Sequence, residues 1–150
     1  MATAPEPMIG TTVSIVASTP AAESQSGYEA LSFTEIGKVL SVPETGNQSE
    51  AGSVAVLKTG QTQHYNATKT VPAFTVPYIR DAADAGQGIV RTNANNSTEV
   101  TLRVSTASGV DHYIQGVLGN LNRTEAAPNA YEGESIEFRS ITQWTTVEAA

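Results

Sequence analysis

Glu99–Ser105 reads EVTLRVS, and its alternation is strict: Val100, Leu102 and Val104 fall on one face, Glu99, Thr101, Arg103 and Ser105 on the other. Successive side chains of a strand point to opposite sides, so this stretch is a strand with one buried and one wet face. Thr106–Gly109 (TASG) supplies a turn, and Val110–Leu118 (VDHYIQGVL) is rich in β-branched and aromatic residues. Together they predict a β-hairpin. Working outward, Thr12–Ala17 sets Val13, Ile15 and Ala17 on one face, and Leu31–Glu35 pairs Leu31 with Phe33. Lys38–Val42 is apolar enough to be a strand buried on both faces, and Ser135–Ile141 separates Ile136 and Phe138 from Glu137 and Arg139. Strands that are apolar on one side need a second layer over that side, which makes the chain mainly β.

Two segments depart from this pattern. Thr70–Ile79 (TVPAFTVPYI) has strand composition but carries Pro72 and Pro77. Proline cannot donate to a ladder, so the segment is expected at an edge or at a bulge. Asp81–Asn93 (DAADAGQGIVRTN) predicts a short helix, with Asp81 as N-cap and Asp84 against the N-terminal dipole. Gly86 and Gly88 each weaken it by about 1 kcal/mol relative to alanine, so packing of Ile89 and small residues against a sheet has to hold it.

Between Pro43 and Lys69 the periodicity disappears into PETGNQSEAGSVAVLKTGQTQHYNATK, polar and Gly-rich apart from Val54–Leu57. Unstructured loops longer than ~12–15 residues are uncommon, and are usually functional or disordered. Shorter polar stretches occupy residues 1–9 and 123–131, and there is no internal repeat. A chain of 150 residues fits one domain.

Composition narrows the function. There is no cysteine, so disulfides and thiolate chemistry are excluded. Residues 1–7 (MATAPEP) show neither the basic residue nor the apolar run of an export signal, and no stretch has the ~20 apolar residues of a membrane span. The sequons at Asn47, Asn66, Asn95, Asn96 and Asn122 are accordingly read as products of an Asn/Ser/Thr-rich chain. The net charge is −7 and the eight Lys and Arg are scattered, which argues against direct DNA binding.

Candidate chemistry is sparse. His64 and His112 have no partner at metal-ligand spacing, and Asp111, next to His112, points to the opposite side of a strand. Capping accounts for the Asp81 and Asp84 carboxylates. Gly86-Gln87-Gly88 falls inside the helix and lacks the third glycine of a phosphate loop. Trp144 and the tyrosines at 28, 78, 113 and 131 are scattered in sequence. The expectation is no catalytic, cofactor or metal site and no enzyme activity.

Tyr78–Gln87 (YIRDAADAGQ) resembles the strand-to-helix junction of the tail tube proteins of long-tailed, non-contractile phages, written R-D-x-x-D-x-G-Q. Arg80, Asp81, Asp84, Gly86 and Gln87 stand in the matching places. Gly10–Val16 and Phe33–Val39 resemble that family's opening strands, and the order of elements agrees over about residues 10–145. Pro72 and Pro77 interrupt a strand that the family tends to keep continuous.

The resemblance implies a β-sandwich or partly rolled barrel with one flanking short helix and a long extended loop at 43–69. It further implies hexameric rings stacked into a tube in the virion, made in the host cytoplasm. DNA would pass through without specific binding or any membrane role, and tail terminator, tape measure and tail tip proteins would be further partners. On this reading the loop is an inter-subunit arm anchored by Val54, Val56 and Leu57, the other reading being a surface loop. Glu35, Lys38, Glu99, Arg103 and Asp111, on polar strand faces, are the lumen candidates. The competing readings are a capsid decoration or head–tail joining protein, separable by whether the chain alone forms tubes, and a carbohydrate-binding β-sandwich. The latter needs clustered exposed aromatics, in a chain where aromatics are only 6%.

Overall fold

The computed structural model describes residues 4–5 and 7–148. Of the segment expected at 1–9, residues 1–3 and 6 lie outside the described residues, and the others are exposed.

The elements run β1 (Thr12–Val16), α1 (Gln25–Glu29), β2 (Thr34–Ile36), β3 (Gln48–Ala55), β4 (Thr62–Thr70), β5 (Phe74–Ile79), α2 (Ala85–Asn93), β6 (Glu99–Ser105), β7 (Asp111–Arg123), β8 (Gly133–Ser140) and β9 (Thr145–Val147). The main sheet is antiparallel in the order β2-β1-β6-β7-β8-β5, with β9 also on β7. β3 and β4 form a separate two-stranded sheet. The EVTLRVS strand and its hairpin stand as expected: Leu102 pairs with Ile114 and Val104 with His112.

The main sheet rolls up on itself. After β2, Lys38 takes a left-handed conformation (φ 58°) and turns the chain from the β1 edge to the β5 edge. There Val39 bridges Tyr78, Leu40 N donates to Pro77 O at 3.0 Å, and Ile79 N donates to Lys38 O at 3.0 Å. Lys38–Val42 is thus not the doubly buried strand expected; it makes one bridge across the seam, and Leu40 is exposed. Pro77 fits because N–H and C=O of one strand residue point to the same side. Its carbonyl faces Leu40, so its missing donor points to the irregular seam and not into the β8 ladder.

The inward faces form one core, including Val13, Ile15, Val76, Val100, Leu102, Ile114, Ile136 and Phe138, into which α2 inserts the fully buried Val90. This is the mainly β, partly rolled architecture with a flanking helix that the sequence pointed to. Two features were not foreseen. α1, capped by Ser24, lays Tyr28 on Tyr113 (ring centroids 4.8 Å, 15° between planes) and so covers part of the outer face of β6 and β7. The stretch expected as a long irregular loop contains the β3–β4 hairpin.

Candidate functional site

The YIRDAADAGQ stretch locks the helix to the seam. Asp84, not Asp81 as expected, is the N-cap: its Oδ2 accepts from Gln87 N at 2.9 Å and from Gly37 N at 3.1 Å. Asp81 starts a turn one step earlier, with Oδ1 accepting from Ala83 N at 3.0 Å and Lys38 Nζ at 3.8 Å from Oδ2. The spacing Asp84-x-x-Gln87 is the capping-box signal that separates the two aspartates. Gln87 is 0% exposed and has every amide position filled. Its Oε1 accepts from Asp81 N (2.7 Å) and Arg91 Nη2 (2.8 Å), while Nε2 donates to Gly37 O and Ile79 O, both at 2.9 Å. One side chain thereby joins α2, β5 and the turn after β2. Gly86 is required by close approach, because a Cβ there would collide with the Glu35 carbonyl.

Behind the lock, Glu134 is 3% exposed and paired with Arg91 Nε at 3.0 Å and more loosely with Arg80 at 3.9 Å. Arg80 also reaches Glu132 at 3.5 Å. The neighbouring Tyr78 hydroxyl is buried with no hydrogen-bond partner among the described residues. Burial first, and then the Glu134 charge, pushes this phenol up to about 12. A pKa raised from 10.0 on folding contributes stability that is fully present below pH 10 and is lost as pH climbs through 12. Chemical denaturation between pH 9 and 12 should show an alkaline loss from which Tyr78→Phe removes roughly 2–3 kcal/mol. At pH 7 that variant should be no less stable, since it removes an unpaired buried hydroxyl.

The β3–β4 hairpin occupies the stretch expected as an arm. Ser53 pairs with His64 and Val54 with Gln63, and a tight turn at 56–60 is closed by Gly60 N to Val56 O at 2.7 Å. Nearly all of it is exposed: Val54 is 56% and Leu57 101% exposed, Tyr65 lies open across Gly52, and Val56 is half-buried. Its root is tied down. Asn47 Oδ1 accepts from Trp144 N at 2.8 Å, and Asn47 Nδ2 donates to Trp144 O at 3.3 Å. Asn47 and Trp144 were not singled out as a pair, because nothing in a linear reading joins residues this far apart.

Of the polar-face residues, Glu35, Glu99, Arg103 and Asp111 share the outer face of β2, β1, β6 and β7, where Glu35 and Arg103 both stand opposite Ser14. Glu35 and Glu99 are exposed. Arg103 is drawn in, its guanidinium 4.7 Å from the Phe33 ring centroid, and Asp111 accepts from Ser105 Oγ at 2.6 Å. Lys38 stands apart at the seam beside Asp81. His112 contacts Thr146 Oγ1 at 2.9 Å and meets Trp144 edge-on, while His64 sits on the arm. Among the described residues no three His, Asp or Glu gather as metal ligands, and no helix is long and apolar enough to cross a membrane.

No family model matches the chain. A curated relative, the NADPH-dependent aldehyde reductase YqhD of Escherichia coli (strain K12), is 28% identical over 130 residues, 82% of this chain and 33% of the reductase. The chain thus spans a third of that relative's length. This sequence match runs against the expectation of no enzyme activity and corrects it. The structural likenesses outweigh it by covering more of both chains. A chain in the structure of an extracellular contractile injection system, PVC sheath/tube terminator in the extended state, aligns over 99% of this chain and 100% of its own at 9% identity, with TM-score 0.68. A chain in the anti-feeding prophage (AFP) baseplate, 6-fold symmetrised, aligns over 97% of both chains at 6% identity, with TM-score 0.66. The SPP1 tail tube aligns over 95% of this chain and 80% of its own at 11% identity, with TM-score 0.64. The rolled sheet with its flanking helix is therefore a fold shared with the SPP1 tail tube and with chains of the AFP baseplate and the PVC sheath/tube terminator.

Proposed function

We propose that this chain is a structural subunit of a phage tail tube, polymerising as stacked six-membered rings around a bore that carries DNA into the host. The observation that carries the reading is the β3–β4 arm: a hydrogen-bonded hairpin on which Val54, Leu57 and Tyr65 are each more than half exposed among the described residues. A two-stranded hairpin alone is marginal in water, so such an arm is built to be completed by a neighbour. The fold shared with the SPP1 tail tube, and the six-fold symmetry of the AFP baseplate, support the ring.

Val54, Val56 and Leu57 act as the arm's anchors. Arg80, Asp81, Asp84, Gly86 and Gln87 serve assembly indirectly, by fixing the seam that shapes the ring-forming body. Glu35, Glu99 and Asp111 face the bore with Lys38 and Arg103 nearby. At −7 per subunit an acidic wall repels phosphate and lets DNA slide. The tube would be completed in the virion by terminator, tape measure and tip proteins.

Electron micrographs of the purified chain should show rings or hollow filaments of uniform width. Replacing residues 48–70 with a short turn should leave the thermal midpoint within a few degrees and abolish filaments. Filaments of normal length from the armless chain would refute the role given to the arm, and a chain that decorates capsids and never forms tubes would refute the reading.

A further inference from the structure

The outer face of β1, β6 and the first half of β7 is polar in sequence yet sealed in the structure: Ser14, Thr101, Tyr113 and Gln115 are all buried. The seal is the segment between β1 and β2 that carries α1. Thr101 Oγ1 donates to Ser18 O at 2.8 Å, the Gln115 amide donates to the Tyr28 hydroxyl at 3.1 Å, and the Phe33 ring lies 5.8 Å from that of Tyr113. Gly27 lets the segment close on itself, because a Cβ there would strike the Ala22 carbonyl. Buried polar bonds and stacked rings make this a built layer.

Beneath it lies Arg103, the one basic residue on the outer face of β2, β1, β6 and residues 111–117 of β7 among the described residues. Its guanidinium stands over Phe33, its Nε is buried with no acceptor, and it joins none of the ion pairs described. Leaving such a donor unmatched costs stability. Above it, residues 17–37 display the exposed Glu23, Glu29 and Glu35 and contain no Lys or Arg. The face hides its cation and shows its acids.

We infer that α1 is the innermost layer of the ring, a collar that narrows the bore and screens Arg103 from whatever passes. The inference rests on the reading above, which turns Glu35, Glu99 and Asp111 toward the bore; α1 sits on that same face, one layer nearer the axis. A helix with its side chains is about 10 Å thick, so copies facing one another take about 20 Å from the width that bare strands would leave. The passing molecule that this surface suits is a polyanion. An open guanidinium would grip each phosphate in turn, whereas a covered one does not, and carboxylates above it repel. The unmatched Arg103 Nε follows from this arrangement: the cover that hides the guanidinium also shuts it off from water.

The chain has no cysteine, so a single thiol on α1 reports that site alone. Ser26→Cys changes an exposed position and leaves the Tyr28 contacts in place. In the dispersed chain it should react with both N-ethylmaleimide and a long polyethylene glycol maleimide. In assembled tubes it should keep its reaction with the small reagent and lose that with the polymer, too wide for the bore, except at tube ends. Polymer label along the whole tube puts α1 on the outside. Reaction with neither reagent, or a variant that cannot assemble where the wild type does, puts it between copies. Each of these overturns the collar and leaves the tube reading standing. A wild-type chain that stays monomeric at every concentration overturns both.

Discussion

Gln87→Leu should lower the stability of the subunit by about 3–5 kcal/mol, the largest effect expected of any near-isosteric change in this chain. Leucine keeps the volume, so packing is not the cause. The loss comes from four partners left behind: the Asp81 N–H, the Gly37 and Ile79 carbonyls, and Arg91 Nη2. All lie at a site the side chain seals completely, where water cannot replace it. Arg91 retains Glu134 and a longer bond to the Asp81 carbonyl at 3.3 Å, but the Gly37 and Ile79 carbonyls have no other donor among the bonds described. Gln87→Glu should fare little better, because a carboxylate offers Gly37 and Ile79 no donor and adds a buried charge. Urea unfolding followed by circular dichroism measures both. A change below ~1 kcal/mol for the leucine variant would show that the seam does not depend on this amide.

Gly86→Val should cost about 3 kcal/mol or more, through sterics and not lost bonds. An added Cβ would overlap the Glu35 carbonyl and crowd the Ile36 Cα at 2.8 Å. Neither side can yield: β2 is paired to β1, and the helix start is pinned to Gly37 by Asp84. Gly88 is the control. It lies two residues on in the same helix, and nothing stands within 4 Å of its added Cβ. Gly88→Ala should therefore stabilise by about 0.5–1 kcal/mol, as expected when alanine replaces glycine in an open helical position. Thermal melts of the pair should move in opposite directions. If Gly86→Val proves as stable as the wild type, the close approach to Glu35 does not govern this site.

The two glycines show what was legible and what was not. Each reads as a helix weakener in a sequence, and only the position of β2 reveals that one is indispensable and the other a concession. EVTLRVS was legible as a strand because its apolar residues fall on every second position, but its expected wet face is largely covered, with Thr101 as buried as its apolar neighbours. The β3–β4 arm was not legible as strands, since a hairpin that buries almost nothing needs no apolar alternation. Asp81 and Asp84 were both visible as caps, and the glutamine three residues after Asp84 was the clue that decides between them. Lys38–Val42 misled because apolar content implies burial but not pairing, and a barrel seam needs the first without much of the second. α1 left only faint signs, a serine cap and the Gln25–Glu29 pair, because its place is set by Tyr28 stacking on Tyr113 and by the Gln115 amide on the Tyr28 hydroxyl.

The clasp between Asn47 and the Trp144 backbone spans 97 positions of sequence. Asn47→Ala removes both bonds at once, so it should free the base of the hairpin to swing while leaving the rolled body intact.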